Sequence, residues 1–360
     1  MGLSPLYKCK DMKNIFIGVD FSKKTFDATM IREGEEENVV LGYSKFDNNE
    51  KGYKHFLCWA KKTAHNDALS EWLVCGENTG FYSMGLADWT YEHQMDIWIE
   101  NAYSIKHSLG LTRGKNDKLD SLRIATFAQE KKLKAHLYKP LQQTLSELKT
   151  MIRRRQILDT ARKAILNGVK EFEEMFAPTG EIEKLDNKLK EVAKSIKDLE
   201  NDIERLMAKL CQEDPEIWTN YCIVHSVKGI GTINTVAMLV YTANFTKYAT
   251  ANKMATAWGV APFKDDSGTS LHAPARVSSF CNHWLKGLLT CSAVIAVQTD
   301  SKMSAYYHKL IERGKQRGVA LNNVKSKLIH IVFAMVKNQT MYDPDYDVKK
   351  KDTKTQTVLN

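Results

Sequence analysis

The chain has 360 residues, 43% hydrophobic and 26% charged, which is the balance of a soluble globular protein long enough for two or three domains. Its formal net charge of +9 favours a polyanionic partner, most simply nucleic acid. Seven cysteines with no CxxC pair argue against a disulfide framework or a zinc ribbon and predict reduced thiols. No run approaches the ~20 apolar residues of a membrane span. The N-terminus carries no signal-peptide pattern, so a cytoplasmic protein is expected.

In chain order, residues 15–20, 25–30 and 38–43 read as three strands of a meander, each rich in β-branched or aromatic residues. A helix over 50–64, a strand over 72–76, a helix over 83–94 and a strand over 96–100 follow. The helical stretch that starts at Asp117 closes this part. Three antiparallel strands followed by helix, strand, helix, strand and helix is the order of an RNase H-like (RuvC-like) domain, expected over 14–135. From 141 the pattern turns to long helices. Leu145, Leu148 and Ile152 have helical spacing, with Arg153, Arg154, Arg155, Arg162 and Lys163 on the same helix, the first three of these as candidate nucleic-acid contacts. After the break at 177–180, Ile182, Leu185, Leu189, Val192, Ile196, Leu199, Ile203, Leu206 and Leu210 alternate spacings of three and four, a heptad seam. A coiled-coil helical hairpin is therefore expected over 141–212. Its seam serves either an antiparallel fold-back within one chain or an intermolecular coiled coil that sets a homo-oligomer. Residues 218–340 read as a helical domain, and 343–360, with Lys349, Lys350 and Lys351, as a flexible tail. The fold class is thus α/β followed by all-α.

Four carboxylates stand out against this layout. Asp20 ends the apolar run 15–19, Glu77 ends the run 72–76, and Asp117 and Asp120 open a helix at i, i+3 spacing. Singly, Asp20 and Asp117 read as turn or helix caps. Together they fall where one fold would converge them, and crowded carboxylates repel unless a divalent cation sits among them; hard oxygen donors suit Mg²⁺ or Mn²⁺. Such a site does phosphodiester chemistry.

The stretch 223–239 reads as helix, Gly-Ile-Gly turn and helix, a helix-hairpin-helix-like element. Lys228, Gly229, Gly231 and Thr232 there could hold a DNA phosphate on backbone N–H groups, or the glycines could serve turn geometry alone. Residues 258–270 read as helix end, turn and exposed loop, and nothing local activates Ser267. Downstream, Arg276, Ser278, Ser279, His283 and Lys286 could line phosphates or cap and solvate a helix.

These residues resemble a known group. The run from Gly18 to Lys24 resembles the opening signature of the DEDD transposases of bacterial insertion sequences, 77–82 looks like their second acidic motif, and 115–121 is similar to their third. The segments 227–239 and 259–268 resemble that family's second conserved region, whose serine precedes glycine. The resemblance implies a recombinase guided by a structured noncoding RNA that pairs with donor and target DNA. It implies Mg²⁺ on Asp20, Glu77, Asp117 and Asp120, and Ser267 as nucleophile forming a covalent phosphoserine link. It also implies that the acidic and serine domains meet across subunits, with the coiled coil doing assembly. Three departures stand out. The stretch after Gly268 is nearly neutral until Arg276, which leaves Ser270 as an alternative nucleophile, and Asn78 and Phe81 replace commoner small residues. The competing reading is an RNase H-like nuclease of the junction-resolvase type, whose acids activate water.

Overall fold

A computed structural model of the chain describes residues 13–65, 68–108, 116–176, 179–263, 266–267, 271–272, 276–277 and 281–344. Ser270, Ser278, Ser279 and the tail beyond 344 lie outside them. Contacts divide the chain into two compact units, Met1–Pro140 and Leu141–Asn360.

The first unit is built on a five-stranded sheet of order β3-β2-β1-β4-β5. Its strands are β1 (Ile15–Phe21), β2 (Thr25–Arg32), β3 (Val39–Asp47), β4 (Trp72–Glu77) and β5 (Ile97–Glu100). β1 to β3 form the antiparallel meander, and β4 and β5 join β1 in parallel. β1 is central and covered on both faces, hence its continuous apolar run. On one face Ile15, Ile17 and Val19 meet α1 (Glu50–Thr63) and α2 (Phe81–Glu92) in a core with Phe26, Phe46 and Phe56. On the other, Phe16, Leu73 and Cys75 meet α3 (Ala102–Ser108) and α4 (Asp117–Glu130) through Ile105, Ile124 and Phe127. The strand and helix order matches the sequence reading with one addition, α3.

Among the described residues, the second unit is helical apart from two short ladders. α5 (Gln143–Met175) and α6 (Glu181–Glu213) form a long hairpin. α7 (Pro215–His225), α8 (Thr232–Tyr241), α9 (Ala251–Ala257), α10 (His283–Thr299), α11 (Ser301–Glu312) and α12 (Arg317–Asn338) form the bundle. The hairpin's base belongs to the bundle core: Leu145, Leu148, Ile152, Met207 and Cys211 are buried with Val236, Leu239, Leu289 and Leu328. Between α9 and α10, where an exposed loop was expected, β6 (Pro262–Phe263) pairs with β9 (Arg276–Val277), and β7 (Asp266–Ser267) with β8 (Leu271–His272).

Two expectations need correction. α12 is long and apolar enough by composition to cross a membrane, contrary to the reading that no run approaches that length. Its apolar residues Val324, Leu328, Ile329 and Val332 are fully buried in the bundle core, where the charged Lys325 also lies. The α6 seam is also not one stripe. The face against α5 centres on Asp186, Ala193, Glu200 and Met207, all buried and seven residues apart, with Leu189, Ile196, Ile203 and Leu210 half-buried beside it. Leu185, Val192, Leu199 and Leu206, also at heptad spacing, stay exposed. The fold-back is displaced because α5 presents arginines: Arg162 Nε donates to Glu200 Oε1 at 2.9 Å and Arg155 Nε to Glu204 Oε1 at 2.7 Å.

Candidate active site

The strand register builds a row of charge across one end of the sheet. The short turn between β1 and β2 pairs Phe21 with Phe26, and therefore Asp20 with Asp27. Asp27 in turn pairs with Lys45 of β3. On the other side, the parallel ladder runs to Val19 opposite Gly76, so Asp20 and Glu77 are the next residues along β1 and β4. Glu77 then pairs with Glu100 of β5. Laterally paired residues project to one face. The end of the sheet therefore carries Lys45, Asp27, Asp20, Glu77 and Glu100 in order.

That face is the one covered by α4. Gly18, two residues before Asp20, lets the helix backbone touch the strand: a Cβ there would sit 2.0 Å from the Ser121 carbonyl oxygen and 2.2 Å from the Ala125 nitrogen. Thr29 and Ser121 hydroxyls add a buried hydrogen bond of 2.7 Å. Asp117 and Asp120 sit in the first turn of this pinned helix. Asp117 is not the N-cap; Asn116 is, with its side chain accepting from the Lys118 N–H at 3.1 Å. Asp20 lies within β1, and the turn after Glu77 is closed by Asn78 Oδ1 accepting from the Gly80 N–H at 3.2 Å. The local roles that would explain Asp117 and Glu77 blandly are thus filled by asparagines, and the turn after Asp20 is closed by Ser22, whose Oγ accepts from the Thr25 N–H at 3.3 Å.

The electrostatics follow from the crowding. Burial, then the charges of Glu77, Asp120, Asp117 and Asp27, push the Asp20 carboxyl up to about 6. Burial and then Asp120 raise Glu77. Two of the acids have cationic neighbours: Asp120 pairs with Arg123 at 2.8 Å, and Asp117 lies 3.7 Å from Lys45. Among the described residues no three acidic, histidine or cysteine side chains close around one ion-sized space. The donor chemistry nonetheless fits a divalent cation: hard carboxylate oxygens, mutual repulsion, and a buried Thr79 hydroxyl, two residues after Glu77, with no hydrogen-bond partner.

Sequence reasoning missed Asp27, Tyr43, Lys45 and Glu100. Asp27 is buried, and the Tyr43 hydroxyl donates to its Oδ1 at 2.5 Å. That bond comes first in pushing the Tyr43 phenol up to about 12. Glu100 is tied down by the Trp98 indole N–H at 3.1 Å and the Asn101 N–H at 2.7 Å. A tight hairpin implies the Asp20–Asp27 pairing, so the length of the Ser22–Thr25 turn was the available signal.

The sites expected in the second unit lie on β7, β9, the Gly-Ile-Gly turn, α5 and α10. Ser267 lies in β7, its backbone paired with Leu271, and Arg276 in β9 opposite Phe263. In the Gly-Ile-Gly turn, Lys228 is exposed and Gly231 precedes α8. Gly229 has φ +92°, and a Cβ on it would lie 2.5 Å from the Ser292 carbonyl oxygen, so packing against α10 requires it whatever the turn binds. Thr232 accepts from the Tyr221 hydroxyl at 3.4 Å. Lys286 is half-buried on α10, near Lys325, whose ammonium donates to Thr290 Oγ1 at 3.3 Å. Arg153 and Arg154 are exposed on α5, but Arg155 differs from its neighbours: its guanidinium is taken up by Glu204 and Glu200 and holds the hairpin together.

Comparison with known proteins decides the family. The DEDD transposase profile of the IS110 type matches residues 17–172, and the transposase IS116/IS110/IS902 family profile matches 221–308. The chain belongs to the IS110-type DEDD transposases. It is 23% identical to the pilin gene-inverting protein of Moraxella bovis over 92% of this chain and 98% of that protein. The same-named protein of Moraxella lacunata matches to the same extent. An IS110 insertion-element protein of uncharacterized function from Streptomyces coelicolor is 30% identical over 34% of this chain and 30% of its own length. This transposase is therefore an enzyme acting on DNA, of a family that depends on a divalent metal.

Proposed function

We propose that this transposase is a site-specific DNA recombinase guided by a structured noncoding RNA, which cuts and rejoins DNA through a phosphoserine intermediate. The observation that carries the metal-dependent part is the row Asp27–Asp20–Glu77 with Asp117 and Asp120 above it, an RNase H-like (RuvC-like) disposition of acids. Asp20, Glu77, Asp117 and Asp120 would hold Mg²⁺ or Mn²⁺. A bound divalent cation supplies Lewis acidity, offsetting charge that builds on the phosphoryl oxygens. The full-length similarity to gene-inverting proteins supports recombination, in which every broken strand must be rejoined.

Ser267 is the proposed nucleophile, with Ser270 the alternative. Its hydroxyl oxygen forms a bond to phosphorus as the phosphorus–oxygen bond to the departing strand breaks. The serine proton passes to the departing oxygen, and reversal with a second strand hydroxyl restores the phosphodiester and frees the serine. Lys228, Gly231 and Thr232 at the start of α8, Arg276, Lys286, and Arg153 and Arg154 on α5 are the proposed nucleic-acid contacts. Specificity is delegated to base pairing, so no side chain need encode it. Assembly into a homo-oligomer is assigned to the exposed heptad stripe of α6.

The test is to incubate labelled element-end DNA with the full-length protein, cognate RNA and Mg²⁺, followed by denaturing electrophoresis. A labelled protein–DNA band in the wild type that vanishes in Ser267→Ala is expected. Cut DNA without an adduct, unaffected by Ser267→Ala, would leave a metal-dependent nuclease in which the acids activate water. An adduct that survives Ser267→Ala but not Ser270→Ala would move the nucleophile.

A further inference from the structure

Asp27 belongs to the acidic row by position but not by chemistry. Both of its oxygens are engaged: Oδ1 accepts from the Tyr43 hydroxyl at 2.5 Å, and Oδ2 lies 3.2 Å from the Lys45 ammonium. It is 4% exposed and sits mid-ladder between β1 and β3, so the sheet fixes its place. Lys45 is half exposed, and its next nearest carboxylate is Asp117 Oδ2 at 3.7 Å. Asp117 is well exposed, on the first turn of α4. An ammonium is a compact charge on a flexible stem and moves to whichever anion holds it best. Here two anions compete for it, and the buried, immobile one is closer.

We propose that Asp27 is a positioning residue that holds the Lys45 ammonium nearer to itself than to Asp117, at 3.2 Å against 3.7 Å, and so leaves the Asp117 carboxylate open to a divalent cation. Tyr43 completes the device by fixing the Asp27 carboxylate, while its ring carries the Lys118 ammonium 5.6 Å from its centre. The acidic row therefore has its own cation, parked at its edge. Without Asp27 that cation falls onto Asp117 and competes with the metal for one of its ligands. The inference rests on the cation-binding reading of Asp20, Glu77, Asp117 and Asp120.

The test is Mn²⁺ binding by the full-length protein, followed by electron paramagnetic resonance without nucleic acid. Asp27→Asn keeps the side-chain size and an acceptor for Tyr43 but releases Lys45. Its Mn²⁺ dissociation constant is expected to rise by about tenfold, the usual scale for a lost outer-shell partner. Adding Lys45→Met to Asp27→Asn removes the released competitor and returns affinity toward wild type. Adding Lys24→Met instead, which removes an exposed charge from the β1–β2 turn, leaves the defect in place. Lys45→Met alone, which needs nothing of Asp27's folding role, binds Mn²⁺ more tightly than wild type. A double variant Asp27→Asn/Lys45→Met as weak as Asp27→Asn, or a Lys45→Met that binds more weakly than wild type, overturns the proposal and leaves Asp27 a structural residue. Wild-type protein that binds no Mn²⁺, with Asp20→Asn indistinguishable from it, overturns the acidic-site reading itself and this inference with it.

Discussion

Glu200, in the middle of α6, is fully buried and faces Arg162 at 2.9 Å, Arg155 at 3.6 Å and Lys197 at 3.5 Å. Asp20, at the end of β1, faces Glu77, Asp120, Asp117 and Asp27. Glu200 is fully withdrawn from water and Asp20 about half so, which is costly for either charge. The hairpin offsets that cost with three cations, whereas the sheet end adds repulsion to it and raises Asp20 to about 6. A chain that can neutralise a buried carboxylate in one place and leaves like charges crowded in another has repulsion in the second that the proposed cation would relieve. The contrast separates an acid that holds structure from one proposed to hold a metal.

Removing the stored repulsion breaks the comparison most sharply. Asp20→Asn and Asp120→Asn are each expected to lower strand cleavage by on the order of 10³-fold, the scale of several kcal/mol of lost metal assistance. The same Asp20→Asn should stabilise the metal-free protein at pH 7, by about 1 kcal/mol after allowing for solvent screening. The sign follows from the raised value: the folded state holds the Asp20 proton more tightly than the unfolded chain does. Stability from this group is therefore full at low pH and lost as pH rises through about 6. Protons compete with metal in the same window, so Mn²⁺ affinity should climb with pH up to about 6 and then level off. A melting temperature that falls in Asp20→Asn, or metal binding that is flat from pH 5 to pH 7, would contradict the crowding.

At Glu200 the opposite balance holds. Glu200→Gln leaves Arg155 and Arg162, both on α5, without the anion they share across the hairpin. The expected loss is roughly 2–3 kcal/mol in urea unfolding, below the cost for fully buried pairs because both guanidiniums keep some water. Mn²⁺ binding should be unchanged. A variant as stable as wild type would show that the interhelix ion pairs are cosmetic.

The sequence carried most of this outline where the signal is local. β1 and β4 are legible because strands covered on both faces are continuously apolar, and Asp20 and Glu77 are legible because they end those runs. Asp117 and Asp120 are legible as an i, i+3 pair on a helix. What escaped needed pairing information. Asp27 looks like an ordinary polar residue between Phe26 and Ala28 until the ladder sets it beside Asp20. Lys45 and Tyr43 acquire meaning only once β3 is laid against β2. The spacing of three and four along α6 marks its apolar residues, but spacing cannot tell which of two adjacent stripes a neighbour uses. Glu200, a charged residue at the centre of the contact, argues in the sequence for the wrong face.

That displaced contact gives the smallest of the expected effects. Leu185, Val192, Leu199 and Leu206 are exposed at seven-residue spacing along one side of α6, while Leu189 and Ile196 lean toward α5. An exposed apolar stripe of this regularity costs solubility unless something covers it, and a second copy offers an identical stripe. Leu185→Asp with Leu199→Asp should therefore lower the mass seen by light scattering while changing stability by no more than about 0.5 kcal/mol per site, since α5 does not use these side chains. Leu189→Asp with Ile196→Asp, on the half-buried margin, should instead loosen the hairpin itself. If the first pair leaves the mass unchanged, the stripe is not a subunit contact, and the two edges of α6 differ only in how much water they see.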